Sequence, residues 1–357
     1  MINVTKTYLP DINKYQRYVE QIFNSGWLTN NGELVQNLEK RLCDYLGVPY
    51  VVLISNGTLA LQIAYKLLEL KGEIITTPFT FVATTSSLVW EGLIPVFADI
   101  DSNTYNISPS DIEKKITSKS TAILPVHVFG NPCEIEKIEE ISKQNNLKVI
   151  YDAAHAFGVN YKGKSIAQYG DLSVFSFHST KIFHTIEGGA IIVRTKEQYD
   201  KAKLLINFGI PGPDRITALG INCKMNEFQA AMGLCVLDDL PGIIKSRKVV
   251  YERYLEGFHA TSTLSLQTLS NYTANNFAYF PILFSSEDEL LKKMELLMKQ
   301  DILPRRYFYP SLEKLPYLKK QDVRNSDSIS KRILCLPLFE NLSWEIQKKI
   351  IDFVNKK

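Results

Sequence analysis

Short apolar runs alternate with amphipathic stretches through the first two thirds of the chain. Tyr50–Ile54 reads as a buried strand, and Thr58–Leu70 follows as a helix with Leu61, Ala64 and Leu68 on one face. A strand at Glu73–Thr77 leads to a helix from about Thr80 to Trp90. Further strands are predicted at Ile94–Ala98, Ala122–Val126, Lys148–Asp152, Leu172–Phe175 and Ala190–Val193, with helices at Pro109–Ile116 and Glu134–Asn145. Strands that alternate with helices build a mostly parallel sheet covered on both faces, a three-layer αβα architecture. Such sheets bind ligands beyond the carboxyl ends of their strands, where Ser55–Thr58 and Asp152–His155 fall.

The pattern changes near residue 240. A charged helix at Ile243–Phe258, an apolar strand at Ala278–Phe284 and helices at Glu287–Lys299 and Ser343–Val354 predict a smaller α+β domain. The expected division is therefore a large domain over residues 1–240 and a small one over 241–357. The first 25 or so residues are expected to pack with the small domain.

Composition narrows the class. The chain has 357 residues, 45% of them hydrophobic, enough for a large core. A net charge of +3, with basic residues spread evenly, gives no footprint for nucleic acid or a membrane surface. The start of the chain shows no apolar leader, and no stretch reaches the length of a membrane span. Five scattered cysteines without a C-x-x-C pair are expected to be free thiols in the reducing cytoplasm.

Three places carry candidate chemistry. The strand Lys148–Asp152 delivers a carboxylate beside Ala153, Ala154 and His155. There it could ligate a metal, act as a base, cap a helix or pair with a buried cation. Downstream, Phe175-Ser176-Phe177-His178-Ser179-Thr180-Lys181 places a lysine in a short polar loop, and Glu187-Gly188-Gly189 allows a tight return. A reacting amine needs such a fixed, partly desolvated position. The segment Ser55-Asn56-Gly57-Thr58 opens a helix directly after a strand, either an ordinary N-cap or a phosphate seat. His127, His155, His178 and His184 cluster in sequence, but their spacing fits no zinc motif, and no metal is expected. His127 reads as a packed loop residue or a substrate neighbour.

In order and spacing, Gly26–Gly32, Ser55–Leu61, Thr77–Thr84, Tyr151–Gly158, Gly170–Lys181 with Glu187–Gly189, and Gly220–Gly233 resemble the DegT/StrS sugar aminotransferases, which are fold type I enzymes of pyridoxal 5′-phosphate (PLP). The resemblance spans nearly the whole chain. It implies that Lys181 binds the cofactor covalently, Asp152 faces its ring nitrogen, His155 lies near its ring hydroxyl and Phe81 stacks on its ring. It also implies that Gly57, Thr58 and Ser176 hold the phosphate, joined by Asn222 from the other subunit of a homodimer with shared active sites. Lys224 stands where many relatives carry arginine. Family members that act as dehydratases have histidine in place of the lysine, which this chain retains.

The resemblance further implies L-glutamate as amino donor and a nucleotide-linked keto sugar as acceptor. The expected acceptor is dTDP-4-keto-6-deoxy-D-glucose, aminated at C4 for a cell-surface polysaccharide. Amination at C3, a UDP-linked sugar, or a non-catalytic regulatory role are the alternatives. Trp27, Thr29, Asn30, Phe183, His184, Arg306 and Tyr309 are the expected substrate contacts. Only one of Arg305 and Arg306 can face the site, since alternate residues of an extended segment point opposite ways, and Arg306 is the expected one.

Overall fold

The computed structural model describes residues 1–259 and 264–356. Seven strands form its main sheet, in the order Tyr50–Ile54, Gly189–Val193, Leu172–Ser176, Lys148–Asp152, Ser120–Leu124, Glu73–Thr76 and Ile94–Phe97. All neighbours run parallel except Gly189–Val193, which is antiparallel to both strands beside it. The strands are largely apolar on both faces because both faces are covered. Val51, Leu53, Val149, Tyr151, Phe175 and Ile192 face one core, while Val52, Ile54, Ile150, Val174 and Ile191 face the other.

The predicted helices appear with ends shifted by up to three residues, at Gly57–Leu67, Val82–Trp90, Pro109–Lys115 and Ile135–Gln144. Two helices before the first sheet strand, Ile12–Ser25 and Glu33–Leu46, were not anticipated. Each ends on a left-handed glycine, Gly26 and Gly47, whose backbone N–H closes the last turn.

A second sheet joins Ser265–Leu266, Pro281–Leu283 and Ile333–Cys335, all antiparallel. Its core gathers Tyr254, Phe258, Phe280, Ile282 and Leu290. The strand expected at Ala278–Phe284 shrinks to three residues, which leaves Ala278 and Tyr279 to face the neighbouring core.

The helix expected from Ile243 begins sixteen residues earlier and runs from Glu227 to His259 through Pro241. Its first half contributes Leu234 and Leu240 to the large core, and its second half contributes Val250 and Tyr254 to the small one. The expected border at 240 thus falls inside a helix rather than in a linker. The N-terminal segment is divided too. Ile2–Asn3 pairs in parallel with Ile302–Leu303, whereas Ile22 on the helix Ile12–Ser25 lies in the large core.

Candidate active site

Four strand ends of the main sheet open into one cavity of about 260 Å³. Because the strands Tyr50–Ile54, Glu73–Thr76, Lys148–Asp152 and Leu172–Ser176 point the same way, the loops that follow them converge. They bring Asn56–Thr58, Thr80–Thr84, Asp152–His155 and Ser176–Lys181 to its walls.

Asp152 lies on the cavity floor, 5% exposed. Its Oδ1 accepts the Ala154 backbone N–H at 3.1 Å, and its Oδ2 accepts the Thr84 hydroxyl at 2.8 Å. Burial raises its pKa, opposed by these two hydrogen bonds and by Lys181. Lys181 follows the loop Phe177–Thr180, whose turn is closed by its N–H on the His178 carbonyl at 2.9 Å. Burial lowers the pKa of its amine to about 8, opposed by the Asp152 carboxylate and assisted by Arg305. An appreciable share of this amine is unprotonated near neutral pH, which an ordinary lysine cannot offer.

His155 is buried, and its Nδ1 accepts the Phe129 N–H at 3.3 Å. Burial, and secondarily the charge on Lys181, hold its pKa well below the usual value. The ring is therefore neutral, with its proton on Nε2. Phe81 leaves a half-exposed ring at the cavity rim, directly before the helix Val82–Trp90.

Asn56 caps the helix Gly57–Leu67 by accepting the Leu59 N–H at 2.9 Å, so the free N–H groups of the first turn face the cavity wall. A side chain at Gly57 would place its Cβ 2.8 Å from the Cβ of Ser176. Glycine is what lets the helix start and the strand end approach so closely.

Several expected contacts lie elsewhere. Phe183 is fully buried and stacked on Phe157 at 4.4 Å, inside the large core rather than against the cavity. His184 is also buried, its Nε2 bonded to the Tyr8 carbonyl at 2.8 Å. Both belong to the supports of the Lys181 loop. Arg306 turns away: it pairs with Glu287 at 2.6 Å, bonds the Lys331 carbonyl and lies 3.6 Å over the ring of Tyr309. Arg305 lines the cavity instead, its guanidinium 4.5 Å over the ring of Tyr307. The alternation argument holds, with the opposite residue facing in.

Trp27, Thr29, Asn30 and Asn222 do not reach this cavity within the chain. Trp27 borders a groove with Gly32 and Glu227, Asn30 borders another with Lys203 and Lys224, and Thr29 is exposed. Asn222 is exposed, its Oδ1 accepting the Lys224 amine at 2.8 Å. His127 is packed, its ring stacked 4.6 Å from that of Tyr151 and its Nδ1 accepting the Cys133 N–H.

The C-terminal part of the chain adds Tyr279, which sequence reasoning missed. The hydroxyl of Tyr279 lies 3.5 Å from the Lys181 amine, and Tyr307 and Phe308 close the cavity beside it. Phe308 lies parallel to the His155 ring at 5.5 Å. Tyr279 sits in an apolar run with no local mark of function, so only its spatial partner reveals it.

Comparison with known proteins gives this arrangement a context. The model of the DegT/DnrJ/EryC1/StrS aminotransferase family matches residues 11–355. The dTDP-4-amino-4,6-dideoxy-D-glucose transaminase of Shigella dysenteriae is 44% identical, over 99% of this chain and 98% of its own. The crystal structure of DesI in the presence of its TDP-sugar product superposes with a TM-score of 0.93 at 30% identity, covering 99% of this chain and 92% of that one. The PLP-form of Spr1654 from Streptococcus pneumoniae superposes with a TM-score of 0.90 at 26% identity, covering 98% and 97%.

Proposed function

Because the chain belongs to the DegT/DnrJ/EryC1/StrS aminotransferase family, we propose that it moves the amino group of L-glutamate to C4 of dTDP-4-keto-6-deoxy-D-glucose, using PLP bound in the cavity at Lys181. The observation that carries this reading is the meeting of the Lys181 amine and the Asp152 carboxylate in one cavity beneath a helix N-terminus.

The residues present fit the cofactor. Gly57, Thr58 and Ser176 offer a helix start and hydroxyls to a phosphate. The buried Asp152 carboxylate suits a protonated ring nitrogen, neutral His155 can donate from Nε2 to a ring hydroxyl, and Phe81 offers a face to a planar ring. When bound, PLP supplies an electron sink that stabilises negative charge at the donor's α-carbon.

The chain's own groups do the rest. The unprotonated amine of Lys181 is the nucleophile that anchors the cofactor. Once free, its Nζ takes the proton from the donor's α-carbon and later delivers one to the sugar carbon. Arg305 offers a planar cation to the diphosphate of the sugar nucleotide. Tyr307 and Phe308 exclude water beside it.

The enzyme is proposed to act as a homodimer. Asn222, Trp27 and Asn30 lie outside their own cavity, and Phe208, Ile216, Leu219 and Ile221 form an exposed apolar set on the segment around Asn222. A second copy would cover that set and bring Asn222 to the neighbouring cofactor phosphate. The cysteines are free thiols, which suits the cytoplasm. Among the described residues, no helix is long and apolar enough to cross a membrane.

The test is incubation of purified, PLP-loaded protein with L-glutamate and a panel of dTDP- and UDP-linked 4-keto and 3-keto sugars. A dTDP-4-amino sugar identified by NMR is the expected product. Turnover only of a 3-keto or UDP-linked sugar moves the assignment within the family. An absorbance spectrum that glutamate leaves unchanged supports the regulatory alternative.

A further inference from the structure

We propose that Thr84 is a positioning residue: its hydroxyl, itself oriented by Thr80, aims the Asp152 carboxylate at the cofactor's ring nitrogen and preserves its negative charge. The inference rests on the reading of Asp152 given above.

Thr84 and Thr80 are 1% and 2% exposed, and both line the cavity behind Asp152. The Thr84 hydroxyl lies 2.8 Å from Asp152 Oδ2 and 3.0 Å from the Thr80 hydroxyl. A hydroxyl has one proton, and an ionised carboxylate only accepts. The Thr84 proton must therefore point at Asp152, and the Thr80 proton must point at Thr84. The bonds run in one direction, from Thr80 through Thr84 to the carboxylate. The donors converge on the carboxylate, and the bond that Thr84 gives it is strongest while Asp152 is charged.

The local alternative makes this orientation informative. A threonine or serine hydroxyl on a helix ordinarily bonds a carbonyl one turn back. Ser86, two residues on in the same helix, does so, donating to the Val82 carbonyl at 2.8 Å. Thr84 instead donates to a residue 68 positions away, on a strand two removed in the sheet from the one preceding its helix. Burial works against a charged Asp152, and besides the Ala154 N–H the Thr84 hydroxyl is the hydrogen bond that opposes it.

The experiment follows the carbon-13 NMR titration of the Asp152 carboxyl in cofactor-free wild type, Thr84→Val, Thr84→Ser and Thr80→Val, with turnover of the loaded enzymes in parallel. Thr84→Val keeps the shape and removes the hydroxyl. It is expected to raise the Asp152 pKa by about one unit and to slow both half-reactions by about tenfold or more. Thr84→Ser restores both, which a purely structural role for the threonine methyl would not. Thr80→Val, the second variant should Thr84→Val fail to fold, is expected to shift the titration the same way by less. An unchanged Asp152 titration in Thr84→Val, or in Thr80→Val where that variant stands in, overturns the inference. Asp152→Asn separates the two claims. Wild-type turnover in Asp152→Asn overturns the assignment of Asp152 to the ring nitrogen, and the aiming of its carboxylate there falls with it. Loss of turnover in Asp152→Asn with an unchanged titration in Thr84→Val overturns the role of Thr84 alone.

Discussion

The amine of Lys181, on the loop that follows the strand Leu172–Ser176, lies 3.5 Å from the hydroxyl of Tyr279, which enters from the C-terminal part of the chain. The phenol is held neutral because burial raises its pKa. A neutral phenol oxygen accepts from an ammonium and so favours the charged form of the lysine. The Tyr279 ring also touches His155 at 4.8 Å and Phe129 at 5.4 Å between centroids. Replacement of Tyr279 by Phe should therefore keep the packing, with stability within about 1 kcal/mol of wild type. It should reduce kcat/KM about tenfold through looser placement of the amine. In the pH–rate profile the Lys181 limb should move to lower pH; a shift upward would mean the phenol does not accept from the lysine.

Lys181 itself should reveal its burial through stability. Its pKa is about 8 in the folded chain against 10.5 when unperturbed. Between these values the unfolded chain binds more protons, so stability of the cofactor-free protein should rise as pH climbs from about 8 to about 10.5. Below pH 8 the full penalty of the buried charge applies. Lys181→Met should abolish transamination and the reducible lysine–PLP adduct, remove that rise and stabilise the cofactor-free protein at pH 7. A gain on the order of 1–2 kcal/mol is expected, because the side chain is only partly buried and its charge is partly screened. Denaturant melts across the pH range measure it, and a mutant less stable than wild type at pH 7 contradicts the account.

The two adjacent arginines should separate cleanly. Arg305→Ala should raise the KM for the sugar nucleotide at least tenfold and leave the glutamate half-reaction nearly unchanged. Arg306→Ala should leave that KM alone and lower stability by about 1 kcal/mol, since it loses the partly exposed pair with Glu287 and the contact with Tyr309. Steady-state kinetics and thermal melts of both variants decide the matter; equal effects on KM would place the diphosphate between them or elsewhere.

Subunit mixing should test the shared site. Asn222→Ala and Lys181→Ala homodimers should each be impaired. If Asn222 serves the partner's cofactor, a heterodimer of the two has one intact site, with Lys181 from the first chain and Asn222 from the second. Refolding an equal mixture should then recover activity well above that of either variant. No recovery, or a fully active monomer in sedimentation, would exclude a shared site.

The sequence by itself determined what depends on local pattern. Mostly apolar stretches such as Val149–Tyr151 and Leu172–Phe175, separated by amphipathic helices, point to a parallel sheet covered on both faces, because neither leaves a polar face for water. Parallel strands place their carboxyl ends together, so Ser55–Thr58 and Asp152–His155 share one edge of the sheet, and the family resemblance adds Lys181 to them. Other matters depend on which surfaces meet, and the tertiary structure decided those. Arg305 and Arg306 are chemically alike in the sequence; Glu287 and the Lys331 carbonyl draw Arg306 aside, which leaves Arg305 to the cavity. Phe183 and His184 follow Lys181 closely, yet the chain turns them into the core against Phe157 and Tyr8. Tyr279 carries no local signature, and Thr84, though it ends a recognisable motif, gives no sign of its partner, because each meets a residue tens of positions away. The same holds for the helix Glu227–His259, whose two halves are claimed by two cores, so the pattern shift near residue 240 marks a change of neighbour and not a break in the chain.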